Sequence, residues 1–344
     1  MIPFWFILIT ILWLGFFVLE GFDFGVGMLH RVIGRDEAGS RMAINTIGPL
    51  WDGNEVWLIV AAAAMFAAFP GWYATMFSGF YIALVLLLVA LIVRGISFEY
   101  RGKRESPRWR RNWDRLMVAG SLLAPLLIGV ALGDLLHGVP INASQEFTGS
   151  LLSLLQPYAI YTGITLTAIC VLQGATFLAL KTAGDVRDRA GRLSRRVAPV
   201  TAVAVLAFAS WTHVTAGKGA LLSPAEFAAV IGAVAATWFV HDRREGWAFT
   251  ATTVTMAASV LSIFVGLYPR VMVSSTSPAF DLTVHNTASG SYALGVMTVV
   301  AVIALPFVLA YQAWSYYVFR RRLTASSPRP GPPAPARPGG RSRG

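Results

Sequence analysis

Four carboxylates stand in stretches that otherwise look made for lipid. Glu20 and Asp23 lie in LEGFDFGVG, residues 19–27, and Asp52 and Glu55 lie in GPLWDGNEVWL, residues 48–58. Each pair is spaced three residues apart, so its members share one helical face. A charged side chain at mid-bilayer costs roughly 2.5–3.5 kcal/mol on insertion scales, so four ionised, lipid-facing acids would cost on the order of 10 kcal/mol. A stable chain therefore turns them toward protein or water, or protonates some of them. Intramembrane acids in that setting carry protons, bind cations or balance a charge. Asp23, Asp52, Glu20 and Glu55 are the candidate proton path, with Asn54 and Trp57 as nearby hydrogen-bond donors. Arg94 is a candidate ion-pair partner that would neutralise one acid, which keeps a purely structural polar cluster open as a reading. Asp134 falls at the outer end of a predicted span and reads as interfacial.

Helices must position these groups. The chain has 344 residues, 56% hydrophobic and 13% charged, against about 25% charged in soluble domains. Apolar runs near the ~20-residue spanning length recur throughout. The predicted spans are 3–30, 48–69, 73–99, 115–137, 157–181, 198–216, 224–241, 247–268 and 291–318, about nine in all. The chain reads as an all-α polytopic membrane protein. The first run starts at Ile2 without a basic region before it, so it reads as a retained helix.

Net charge is +11, which raises nucleic acid as a partner, but its distribution excludes that class. Arginines and lysines collect in alternate loops, at 31–41, 101–115, 181–196 and 242–246, and again at 320–322. The intervening loops hold only Lys218 and Arg270. The positive-inside rule then places the N-terminus outside and the C-terminus in the cytoplasm. On this topology Asp23 and Asp52 sit at similar depth in the cytoplasmic half, with Glu20 and Glu55 one turn deeper. Trp5, Trp72, Trp109, Trp113, Trp247 and Trp314 fall near span ends, as an aromatic belt does. Residues 1–322 form the transmembrane domain, and 323–344, rich in Pro and Arg, read as a disordered cytoplasmic tail.

LEGFDF in the first span resembles LQGATF at 172–177, a faint parallel repeat that swaps the acids for Gln173 and Thr176. A haem in a bundle needs inward-facing His, Met or Cys ligands, usually paired. His30, His137, His213 and His241 fall near span ends and His285 in a loop, so no two make a ligand pair at one level. Cys170 lies alone in an apolar run and reads as packing, and no metal-site spacing is present. The residues by themselves describe a proton- or ion-handling membrane subunit without a catalytic centre of its own.

The acid-bearing segments also carry a family resemblance. EGFDFGVGML (20–29), NTIGPLWDGNEVWL (45–58), FSGFY (77–81), RGISFEYR (94–101), RWRRNWD (108–114) and GVALGDLLHGVP (129–140) resemble subunit II of the cytochrome bd-type quinol oxidases. QGAT at 173–176 and SST at 274–276 fit as well, and the likeness runs from residue 1 to about 322. The resemblance implies a bacterial plasma-membrane terminal oxidase that oxidises quinol and reduces dioxygen to water with cytoplasmic protons. It implies that subunit I holds two b-type haems and haem d and supplies the quinol site. It further implies two four-helix bundles plus one peripheral helix, with Asp23 and Asp52 matching acids of a proton path. Small single-helix accessory subunits, membrane lipids and a structural quinone or lipid are the other expected partners.

Two other readings compete. An independent proton- or cation-translocating transporter would typically show inverted repeats and broken midplane helices. A structural scaffold would keep every acid ion-paired.

Overall fold

The computed structural model describes residues 1–324, and most of the tail predicted at 323–344 lies outside them. Eleven α-helices make up the described chain: α1 Ile2–Gly34, α2 Glu37–Ile47, α3 Trp51–Ala68, α4 Pro70–Gly79, α5 Tyr81–Tyr100, α6 Pro107–His137, α7 Pro157–Lys181, α8 Gly184–Ala216, α9 Pro224–His241, α10 Glu245–Leu267 and α11 Ser291–Val318. Prolines at the first turn of α1, α4, α6, α7 and α9 cost no backbone bond there. Ser223 and Glu226 add a reciprocal capping box to α9. A small antiparallel pair, Arg270–Met272 with Leu282–Thr283, closes the α10–α11 connection.

Eight of these helices are long and apolar enough to cross a membrane. The ninth predicted span, 48–69, forms as α3, but Asp52, Asn54 and Glu55 in its first turns keep it less apolar. The predicted spans at 157–181, 224–241 and 291–318 match α7, α9 and α11.

Three expectations need correction. The predicted span 73–99 is two helices, α4 and α5, broken at Phe80. Gly79 presses on Phe147 there, and an added Cβ would meet that ring at 2.6 Å. The basic segment before 198 is helical, extending α8 back to Gly184. Asp185 and Arg189 pair at i,i+4, and Arg189 Nε donates to the Ile33 carbonyl at 2.6 Å, satisfying an open end of α1. The segment predicted as the first basic loop holds α2. Arg35 leaves the helix at φ 61°, and Asp36 then caps α2 by accepting from Gly39 N at 2.7 Å.

α1 is the hub: it packs on α2, α3, α6, α7 and α10. Its contact with α7 is glycine on glycine. A Cβ on Gly25 would overlap the Cys170 carbonyl and Gly174, and one on Gly174 would overlap Gly25. Without a hydrophobic drive between helices in lipid, such backbone approach is what holds them. α11 lies at the edge, packed against α3 with only Leu294 fully buried. Gly25→Val should lower the thermal midpoint sharply, as overpacking by about 1–3 kcal/mol does. Gly53→Ala, where the nearest atom lies 3.9 Å from the new Cβ, should leave it unchanged in the same melting assay.

Candidate functional site

Helical spacing turns Glu20 and Asp23 inward from α1, and both are fully buried. Arg94, from α5, meets Glu20 with 0% of its own side chain exposed. Its Nη1 lies 2.5 Å from Glu20 Oε1 and 3.5 Å from Glu55 Oε2, so it pairs with two acids where one was expected. Gly120 on α6 makes room for it, since a Cβ there would stand 2.9 Å from Arg94 Cβ. The guanidinium also lies over Phe24 at 4.7 Å and Phe98 at 5.3 Å. These rings screen it from solvent and add cation–π attraction.

Asn54 completes the cluster. Its Nδ2 donates to Asp23 Oδ2 at 2.7 Å and to the Leu19 carbonyl at 3.1 Å. Its Oδ1 accepts from Gln312 Nε2 at 2.8 Å and from Tyr316 OH at 3.0 Å. All four bonding positions of the amide are filled, which fixes its orientation. Glu20 Oε2, Asp23 Oδ1 and Arg94 Nη2 have no protein hydrogen-bond partner. One guanidinium thus lies against two carboxylates, with a third, Asp23, one turn along α1 from Glu20.

The remaining candidates are placed differently. Glu55 is half-buried, with 20% of its side chain exposed. Asp52 is exposed on the first turn of α3, so it lies outside the buried cluster and not alongside Asp23 within it. Trp57, expected as a hydrogen-bond donor near the acids, packs its six-membered ring on Gly15. Asp134, expected at the interface, is fully buried, and neither carboxylate oxygen has a protein partner.

Sequence reasoning missed Gln312 and Tyr316. Their i,i+4 spacing puts both on one face of an apolar helix, a signal that could have raised them. It also missed the role of Gln173, whose Nε2 donates to the Val18 carbonyl at 3.2 Å and whose Oε1 faces Gly21. The faint repeat therefore lies against its counterpart, with Gln173 opposite the turn that carries Glu20.

A second cluster ties the arginine-rich helix ends together. Asp114 accepts from Arg101 Nε at 2.6 Å and from Arg31 Nη1 at 3.3 Å, and lies 3.1 Å from His30 Nε2. Arg101 also grips Glu37 with two bonds, at 2.9 and 2.8 Å. Burial alone would lower the Arg101 pKa, but the bonds to Glu37 and Asp114 outweigh it and hold the group above its ordinary value. The network joins α1, α2, α5 and α6 at one end.

The four histidines near helix ends each have a protein contact. His30 is held by Asp114 and the Gly27 carbonyl, His137 stacks on Tyr158, His213 pairs with Glu226, and His241 binds the Thr237 carbonyl. His285 stands exposed in a connection. Among the described residues, no group of three or more His, Cys, Asp or Glu is placed to hold a metal ion.

Fold and site define a helical membrane protein with a buried acid–arginine–amide cluster. Residues 1–319 match the family model for cytochrome bd terminal oxidase subunit II, and the chain belongs to that family. It is 45% identical over 328 residues to the cytochrome bd ubiquinol oxidase subunit 2 of Bacillus subtilis, covering 94% of this chain and 97% of that one. The cytochrome bd-I ubiquinol oxidase subunit 2 of Escherichia coli K12 is 36% identical over 357 residues, covering 93% and 94%. A solved bd oxidase from Geobacillus thermodenitrificans has the same fold, with a TM-score of 0.68 at 17% identity over 91% of this chain and 95% of that one.

Arg94→Gln removes the countercharge of a buried acid and should cost about 3–5 kcal/mol, read as a lower thermal midpoint of the purified protein. Glu20→Gln with Arg94→Gln should recover part of that loss. A double variant no more stable than Arg94→Gln alone would mean that the two groups are not coupled.

Proposed function

We propose that this chain is the non-haem-ligating integral subunit of a quinol-oxidising, dioxygen-reducing terminal oxidase. In this reading it delivers cytoplasmic protons toward a haem-bearing subunit I. The observation that carries the proton role is the fully buried Glu20–Asp23 pair, linked through Arg94 to the half-open Glu55. Asp52, exposed ahead of Glu55 on α3, is the collecting acid at the surface. A proton passes from Asp52 to Glu55, then to Glu20 beside Arg94, and on to Asp23. Arg94 stands between Glu20 and Glu55, close to both. It acts as a fixed positive charge that limits how many acids are protonated together. Asn54, anchored by Gln312 and Tyr316, holds Asp23 in place by donating to one of its oxygens.

Quinol oxidation belongs to the assembly, since the relatives carry the name ubiquinol oxidase subunit. Two b-type haems and haem d are assigned to subunit I, and the engaged histidines of this chain support that division. The arginine-rich helix ends are cytoplasmic, with the N-terminus outside. One bundle is α1, α3, α5 and α6, with α4 leading into α5; the second is α7–α10, and α11 is peripheral. Subunit I and small accessory subunits pack on exposed apolar faces, such as Val56, Ile59 and Val60 of α3.

Asp23→Asn in the purified oxidase should lower quinol-driven oxygen uptake at least about tenfold while the haem spectra persist. Asp52→Asn should lower it less, because an exposed collecting acid is replaceable by bulk water. Full turnover in Asp23→Asn would remove the cluster from the proton path. Proton flux through this chain alone in liposomes would favour a transporter.

A further inference from the structure

The ends of α7 to α10 border a further charged site. A cavity of about 400 Å³ opens where α8 and α10 begin and α7 and α9 end. Four arginines line it, Arg187, Arg192, Arg195 and Arg243, against two acids, Asp188 and Glu245. Glu245 is already occupied: Arg187 Nε holds one oxygen at 2.5 Å and Arg322 the other at 2.8 Å. Arg192, Arg195 and Arg243 have no ion-pair partner among the described residues. The cavity thus presents a surplus of uncompensated guanidinium groups.

The rest of the lining has the opposite character. Ala179, Phe239, Val240 and Ala248 line the cavity between α7, α9 and α10, and Ala179, Val240 and Ala248 are buried. The height of the mouth is marked by aromatics. Phe239 contacts Trp238 at 6.2 Å and Trp247 at 6.0 Å between ring centroids, and both tryptophans are 60% or more exposed. Exposed tryptophans at helix ends sit at headgroup level. Arginines and buried apolar side chains lining one cavity, beside exposed tryptophans, match an amphipathic ligand. A soluble anion would need only the arginines.

We propose that this cavity is a binding site for an anionic phospholipid of the adjoining leaflet. Its phosphate is held by Arg192, Arg195 and Arg243, and its glycerol and upper acyl carbons lie against Ala179, Phe239 and Ala248. Guanidinium groups suit the phosphate because they offer paired N–H donors in a planar fork. Basic pockets between helices at a membrane face recognise such headgroups. Bound lipid would pin the arginine-rich end of α8 to α9 and α10 and so stabilise the second half of the chain.

The test is the thermal midpoint of the delipidated complete oxidase in detergent, with phosphatidylglycerol, phosphatidylcholine or inorganic phosphate added. Phosphatidylglycerol alone should raise the midpoint, by about 3 °C or more. Arg192→Gln with Arg195→Gln should abolish the rise. Arg108→Gln with Arg111→Gln, an equal charge loss on the exposed start of α6, should preserve it. Loss of the rise in both double variants would reduce the effect to bulk attraction and overturn the site. Persistence in both would overturn it too, as would an equal rise with inorganic phosphate. Native mass spectrometry of the wild-type complex gives a measure that needs no variant. Phosphatidylglycerol should be retained over phosphatidylcholine, and equal retention would overturn the assignment.

Discussion

The buried pairing of Arg94 with Glu20 is the interaction around which the first half of the chain is arranged. An arginine and a carboxylate far from water are each costly, and only close approach with good surroundings offsets that cost. The surroundings here are drawn from several helices. Gly120 of α6 clears the space, Phe24 and Phe98 cover the guanidinium, and Glu55 of α3 adds a second carboxylate. A side chain at Gly120 would press on Arg94, and loss of either ring would uncover the guanidinium. The pairing therefore sets how closely α1, α3, α5 and α6 must pack.

The same cluster is left incompletely bonded. Asn54 uses every hydrogen-bonding position it has, whereas Glu20, Asp23 and Arg94 each keep atoms with no protein partner. The lower network of Asp114, Arg101 and Glu37 makes the contrast. Its carboxylates are gripped by two or more donors each, and it fastens helix ends together.

Much of this was legible from residues alone. The helical class, the alternation of basic loops and the family likeness follow from hydropathy, Lys and Arg placement and the acid-bearing motifs. Glu20, Asp23, Asn54 and Arg94 could be singled out because polar groups in apolar helices stand out against their neighbours. The extra helix α2, the break at Phe80 and the long start of α8 were not legible. They rest on capping by Asp36, on Phe147 against Gly79 and on Arg189 reaching the end of α1, contacts between segments distant in sequence or hidden by a polar surface.

Composition and local spacing thus determined what kind of chain this is and which charges it must hide. Hydrophobic periodicity acts over neighbouring residues, so it reports which segments are helices. It does not report which helix faces meet. Only the tertiary structure decided that Arg94 serves Glu20 and Glu55 together. It also decided that Asp52 stays outside the buried cluster, that Asn54 bridges α1 to α11, and that arginines scattered from 187 to 243 converge on one cavity. Pairing energies fall steeply with distance and with water content. Partner choice among buried charges is therefore settled by close packing, here at Gly25 on Gly174 and Gly120 against Arg94.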